Sequence, residues 1–230
     1  MNSLTYLIGH YINIYVDGNI IYESTSVKYL GITLQGNLAW DLHIRELKSK
    51  IAPAIGILYK MKNKLNENTK LLLYHALIQS HLNYMAIIYG FKSTTTLKSL
   101  QCMQNKALKA VYNLPIRFQT LSLYRDICKT ILPIHGLYKY QVLMYLFKSL
   151  NNIGYRTIRF RQNQTIFNTR NQQNLWTSRC RLETTKQRIQ YMGVANYNNL
   201  PVILRTCNRI SNFKNCLKQH LVENLEALLL

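Results

Sequence analysis

Residues 97–115, LKSLQCMQNKALKAVYNLP, predict an amphipathic helix. Their apolar side chains recur at three- and four-residue steps, so they fall on one side of a helix whose other side is polar. Pro115 ends the segment, because proline cannot continue a helix. A helix of this kind needs other apolar surfaces to cover it, which favours a helical bundle. The apolar positions are Leu97, Leu100, Met103, Ala107, Leu108 and Val111.

The same helical period occurs on the N-terminal side of this segment. An apolar stripe over residues 44–65 predicts one long helix, in which Pro53 is expected to introduce a kink. Asn66 suits a helix cap, and Glu67 suits the first turn of a second helix, which is expected to continue to about Tyr89. Together with the segment that ends at Pro115, these two helices make a predicted three-helix unit.

Before the helices, the period changes to the alternation that is typical of strands. Residues 10–16 and 20–22 are expected to pair as a hairpin around Asp17-Gly18, a dipeptide that tolerates positive φ in a tight turn. Residues 27–34 are expected to add a third strand to the same sheet.

On the C-terminal side, a short helix is predicted over 121–128 and a longer one over 134–150. The following segment is basic and poor in apolar residues, so it is either a loosely ordered arm or a surface that orders on a polyanion. An amphipathic helix with apolar residues from Phe213 to Leu225 is expected near the end. The basic residues between 156 and 188 are Arg156, Arg159, Arg161, Arg170, Arg179, Arg181, Lys186 and Arg188.

The charge of the chain indicates what it binds. Its 230 residues include 29 Lys and Arg against 9 Asp and Glu, a formal net charge of +20. Such a field attracts polyanions, which makes nucleic acid the first partner to consider and an anionic membrane surface the second. The sequence carries no recognisable secretory signal and no apolar run near the ~20 residues that span a bilayer, so an intracellular protein without a membrane partner is expected. The 5 Cys, an odd number without close pairs, suit a reducing compartment.

No stretch of the sequence predicts a catalytic nucleophile, a glycine-rich phosphate loop or a metal centre. Cys207, Cys216 and His220 come closest to a ligand set, but their spacing is wide and no fourth ligand is near. No cofactor and no metal site are expected in this chain.

Four segments in a fixed order resemble one family of polymerases. They are VKYLGITLQGNLAWDLHI (27–44), LLLYHALIQSHLNYMAIIYG (71–90), LKSLQCMQNKALKAVYNLP (97–115) and ILPIHGLYKYQVLMYLFKSLN (131–151). This set is similar to the region just downstream of the palm in jockey-type non-LTR (LINE) retrotransposon reverse transcriptases. YNNLPVILR (197–205) followed by SNFKNCLKQHL (211–221) resembles the end of such reading frames.

The resemblance implies that the fingers and the palm, which supply the catalytic carboxylates and bind Mg²⁺, are missing. Tyr15-Val16-Asp17-Gly18 differs at one position from the Tyr-x-Asp-Asp of reverse transcriptases. Asp17 is either a degenerate catalytic aspartate or a hairpin turn residue, and the alternation on both sides favours the turn. We therefore expect a polymerase fragment that is inactive alone. The alternatives are an RNA-directed DNA polymerase in its own right, and a degenerate or domesticated basic helical nucleic-acid-binding protein.

The resemblance also implies a thumb-like surface that holds a template–primer duplex of RNA or DNA without sequence preference. The lysines of residues 97–115, with Gln101, Gln104 and Asn105, form either this surface or a solvated helix face; the lack of acids between Glu67 and Asp126 favours binding. Basic residues with interleaved aromatics after residue 155 favour binding too. The expected nucleic-acid-binding residues are Lys28, Lys98, Lys106, Lys109, Arg156, Arg159, Arg161, Arg179 and Arg181.

The expected fold is mainly α, with a short antiparallel β-hairpin element at the N-terminus followed by a thumb-like helical bundle. The expected segments are strands that join palm to thumb (1–36), a three-helix unit (37–115), a helical extension (116–155) and a basic C-terminal segment (156–230). The resemblance implies the nucleus as the site of action, and the missing palm and fingers as a possible partner.

Overall fold

A computed structural model shows a mainly helical chain with antiparallel hairpins before the helices, which confirms the predicted fold class. The chain forms two compact units, Met1–His43 and Ile44–Leu230. The structure describes residues 14–16, 19–22, 24–90, 94–154, 158, 160, 174–177, 179–186 and 188–229.

The first hairpin of the N-terminal unit has the predicted pairing. Strands β1 (Ile14–Val16) and β2 (Asn19–Ile21) are antiparallel, with Val16 opposite Asn19. This register leaves two residues for the turn, as a tight hairpin requires. Asp17 and Gly18 themselves lie outside the described residues.

The prediction of a single third strand over 27–34 is wrong. Strands β3 (Ser26–Tyr29) and β4 (Ile32–Gln35) form a second hairpin, which is a separate two-stranded sheet. The chain reverses at Leu30 and Gly31, with φ of 47° and 79°. Positive φ at both central residues is the geometry of a type I′ turn, which glycine adopts without strain.

The first long helix, α1 (Asp41–Lys60), begins before the predicted stripe of residues 44–65, ends before Leu65 and contains Pro53. Gln35 caps its start, because Gln35 Oε1 accepts the Leu42 N–H at 3.1 Å. The predicted cap of the next helix is confirmed, since Asn66 Oδ1 accepts the Thr69 N–H at 2.8 Å.

The second predicted helix is interrupted before Tyr89. A π-helical turn (His75–Gln79) follows its first part, and Met85 has a φ of 53°, which an α-helix cannot accommodate. The apolar period continues through the break, so periodicity alone does not reveal it. The pieces are α2 (Glu67–Tyr74), α3 (Ser80–Asn83) and α4 (Ala86–Tyr89).

The centre of the larger unit is α7 (Ile134–Leu150), whose bounds match the prediction. It contacts α4, α5 (Thr94–Val111), α9 (Ile189–Asn198) and α11 (Ile210–Glu223), so helices cover it on several sides. Its buried residues are Ile134, Gly136, Leu137, Tyr138, Val142, Leu143, Leu146 and Phe147. The other elements are α5 (Thr94–Val111), α6 (Thr120–Ser122), a π-helical turn (Leu123–Ile127), α8 (Glu183–Lys186), α9 (Ile189–Asn198), α10 (Val202–Arg205), α11 (Ile210–Glu223) and a 3₁₀ turn (Leu225–Leu228).

Described residues after position 174 pack on this core. Helix α9, which the sequence pattern did not predict, packs on α7. Asn198 bridges to Leu175 in both directions, since its Oδ1 accepts the Leu175 N–H at 2.8 Å and its Nδ2 donates to the Leu175 carbonyl at 2.9 Å. Leu175 is thereby held in the core at 2% exposure. Within the described residues, no helix has the length and apolar character that crossing a bilayer requires.

Candidate nucleic-acid interface

Helix α5 carries a buried amide at its centre. Gln104 is fully buried, and its Nε2 donates to the Tyr74 hydroxyl at 3.1 Å and to the Leu132 carbonyl at 3.0 Å. Tyr74 in turn donates to Gln79 Oε1 at 2.5 Å. Burial raises the pKa of Tyr74, so the phenol keeps its proton and remains a donor. Gln104 therefore links α5 to α2 and to the segment before α7.

A second set of polar contacts lies one turn away on α5. Gln101 Nε2 donates to the Tyr124 hydroxyl and to Asn105 Oδ1, both at 2.8 Å, while Gln101 Oε1 accepts the Ile134 N–H at 2.8 Å. Tyr124 is fully buried and donates to Asn105 Oδ1 at 2.9 Å. These contacts fix the start of α7 and the π-helical turn Leu123–Ile127 against α5.

The expectation that the amides and the lysines of α5 share one outer face is therefore wrong. Gln104 is inside the protein, and Gln101 and Asn105 use their side chains for internal hydrogen bonds. The sequence held a signal for Gln104, because it lies four residues after Leu100 and three before Ala107 on the apolar face.

Lys109 is buried and makes a hydrogen bond inside the protein. It is 9% exposed, and its Nζ donates to the Ile116 carbonyl at 2.7 Å. A cation at this end of α5 is also favourable for the helix dipole. Because its ammonium is turned inward, we leave Lys109 out of the candidate interface.

Lys98 and Lys106 are exposed on α5 and flank the exposed Cys102. The four-residue spacing places the three side chains on one side of the helix. Within the described residues, neither ammonium meets a carboxylate. We call Lys98, Cys102 and Lys106 the α5 lysine face; it is an accessible, uncompensated positive surface.

Lys70 is a buried cation that sequence reasoning missed. It is 1% exposed, and its Nζ donates to Asn113 Oδ1 at 2.8 Å and to the Lys62 carbonyl at 3.2 Å. Both acceptors lie just past the C-terminal ends of helices, α1 and α5, where positive charge is favourable. The feature of the sequence that could have indicated its burial is the spacing. Lys70 lies four residues before the buried Tyr74, and therefore on the same side of α2.

The other expected binding residues belong to other segments of the chain. Arg179 and Arg181 are exposed in the segment before α8, and Lys28 is exposed on β3 of the N-terminal unit. Arg156, Arg159 and Arg161 lie outside the described residues. No group of three or more His, Cys, Asp or Glu side chains suitable for a metal ion occurs in the described part of the chain.

Three curated proteins that are similar to this chain are polymerases of mobile elements. The chain is 28% identical over 116 residues to the RNA-directed DNA polymerase from mobile element jockey of Drosophila melanogaster. It is 25% identical over 115 residues to the jockey polymerase of Drosophila funebris, and 21% over 117 residues to a probable RNA-directed DNA polymerase from transposon X-element of Drosophila melanogaster.

Each match covers about half of this chain, 49% or 50%, but only 13% of the relative. No protein-family model and no solved structure matches the chain. The resemblance indicated by the ordered motifs is confirmed: over about half its length, the chain is similar to the RNA-directed DNA polymerases of jockey and X-element non-LTR mobile elements.

Proposed function

We propose that this chain is a thumb-like, nucleic-acid-binding part of a non-LTR reverse transcriptase, and that it acts in the nucleus on RNA or DNA. The observation that carries the proposal is the α5 lysine face, where Lys98 and Lys106 are exposed without a described carboxylate partner. The similarity to RNA-directed DNA polymerases supports it, because those proteins are named for acting on nucleic acid.

The electrostatic argument applies to the backbone of a duplex. Phosphates along one strand are regularly spaced anions, and lysines on one side of a helix can neutralise several of them at once. Neither α5 nor α7 contains an acidic residue. Neutralising phosphates with lysine reads no base sequence, so the proposed binding depends on charge and shape.

We expect the affinity for an RNA–DNA hybrid of ~20 base pairs to fall steeply as salt rises, because bound phosphates release counterions. The slope of log K against log salt concentration should be about −0.9 for each phosphate neutralised. Fluorescence anisotropy at several salt concentrations measures this slope. Equal affinity at low and high salt would contradict the proposed electrostatic binding.

Reversing the charge of the two lysines on the α5 lysine face tests the position of the interface. The double variant Lys98→Glu/Lys106→Glu should bind the hybrid about tenfold more weakly, since each lost phosphate contact removes counterion release. The matched control is Lys60→Glu/Lys64→Glu, which changes two exposed lysines and the net charge by the same amount. Circular dichroism checks that both variants are folded. If the two variants weaken binding equally, the α5 lysine face is not the interface.

A further inference from the structure

A second surface of the larger unit combines aromatic, apolar and cationic side chains. A groove of about 670 Å³ runs between α4, α7 and α11. This volume is within the range of ~300–1,000 Å³ that is typical of ligand sites. Its lining includes Ile87, Tyr140, Met144, Tyr145, Lys148 and Lys214.

The walls of the groove are held by specific contacts. Phe147 of α7 and Phe213 of α11 stack with ring centroids 4.1 Å apart and planes 11° from parallel. Gln141 joins α7 to the α4 side, because its Oε1 accepts the Ile87 N–H at 3.1 Å and its Nε2 donates to the Asn83 carbonyl at 2.7 Å. The groove is therefore formed before a ligand arrives, which lowers the ordering cost of binding.

The charge of the groove is uniformly positive. Lys148 and Lys214 line it from two helices, and none of the described lining residues is acidic. Lys218 lies one turn after Lys214 on α11; burial, and then the charge of Lys214, lower the pKa of Lys218. The described lining therefore brings two positive charges and no negative charge to the groove, which favours an anionic ligand.

We propose that this groove binds single-stranded nucleic acid, with unstacked bases on its aromatic and apolar lining and phosphates at Lys148 and Lys214. The inference rests on the proposed nucleic-acid binding and adds a second site to it. Bases present their faces only when they leave a duplex, and a lining that interleaves tyrosine with lysine offers both contacts that a single strand needs. An acidic peptide would use the lysines alone.

The first test varies the ligand and leaves the protein unchanged. A short oligothymidylate and an abasic oligonucleotide of the same length and charge are compared by fluorescence anisotropy. The base-bearing strand should bind about tenfold more tightly, because one stacked base contributes about 1–3 kcal/mol. Equal binding of the two strands, or equal competition by an oligoglutamate peptide of the same charge, would overturn the inference.

The second test separates the two sites. Lys148→Gln/Lys214→Gln should weaken oligothymidylate binding about tenfold and leave hybrid-duplex binding within about twofold, whereas Lys98→Glu/Lys106→Glu should have the opposite pattern. Lys60→Gln/Lys64→Gln is the matched control for the first pair. If the groove variant and its control weaken single-strand binding equally, the groove inference is wrong while duplex binding by the α5 lysine face stands. If the wild-type chain binds neither ligand, the proposed function fails as well.

Discussion

Replacing Gln104 with alanine is expected to lower the free energy of unfolding by about 3 kcal/mol, the largest effect that we predict for a single substitution. The substitution removes the donor of the buried Leu132 carbonyl and one contact of the Tyr74 hydroxyl. A buried acceptor without a partner costs about 1–3 kcal/mol, and the lost side-chain atoms leave a cavity besides. The buried position gives water no access to repair the contact.

Urea unfolding followed by circular dichroism measures this loss as a lower midpoint. Gln190→Ala is the matched control, because Gln190 is exposed on α9 and makes none of the hydrogen bonds described here. An exposed substitution of this kind changes stability by less than about 0.5 kcal/mol. Equal midpoints for the two variants would show that Gln104 does not hold α5 to its neighbours.

Adding one methyl group at Gly90 is expected to lower stability by about 2 kcal/mol. A Cβ at this position would lie 2.6 Å from Tyr138 Cβ and Cδ2, and 2.6 Å from the Ala86 carbonyl oxygen. The Ala86 oxygen is a backbone atom and Tyr138 Cβ is bonded directly to the backbone, so neither can rotate away from the new methyl group. The backbones of α4 and α7 must therefore move apart. The conformation of Gly90 is not the constraint, since its φ is −73°. The causes are the close approach of Tyr138 on α7 and the Ala86 carbonyl of α4 itself.

The same substitution at Gly56 is expected to have the opposite sign. Gly56 is exposed inside α1, and a Cβ there meets nothing within 4 Å. Alanine is preferred over glycine in a helix interior by about 0.5–1 kcal/mol, so Gly56→Ala should raise the unfolding midpoint. Thermal and urea unfolding of the two variants side by side give the comparison. A Gly90→Ala protein as stable as the wild type would contradict the close packing of α4 on α7.

Helix α7 shows how far the sequence pattern carries. Its bounds are predicted from a continuous run of apolar and aromatic residues. Such a run suits a central helix, because neighbouring helices bury it on several sides. The break at Met85 and the turn at Leu30-Gly31 do not follow, because apolar periodicity continues through both. Whether a chain reverses or continues depends on what its next segment packs against, and the local pattern holds no information about that.

The candidate interface shows the same limit. The excess of lysine and arginine and the acid-free α5 predict a positive surface, and Lys98 and Lys106 are exposed as a polyanion-binding surface requires. Lys109 has the same chemistry and a similar place in the sequence, yet it binds the Ile116 carbonyl inside the protein. The amino-acid composition gives the number of charged side chains. Tertiary contacts decide which of them are exposed to solvent.

The sequence by itself determined the helical class, the bounds of α7, the net charge and the similarity to mobile-element polymerases. The tertiary structure decided the roles of individual polar residues. Gln104 and Lys70 became internal links because partners from distant segments, Leu132 and Asn113, lie beside them. The groove beside Lys148 exists because α4 and α11 meet on α7. A period of 3.6 residues orients side chains around one helix, but the partner on the next helix decides which polar group is buried and which is left to bind.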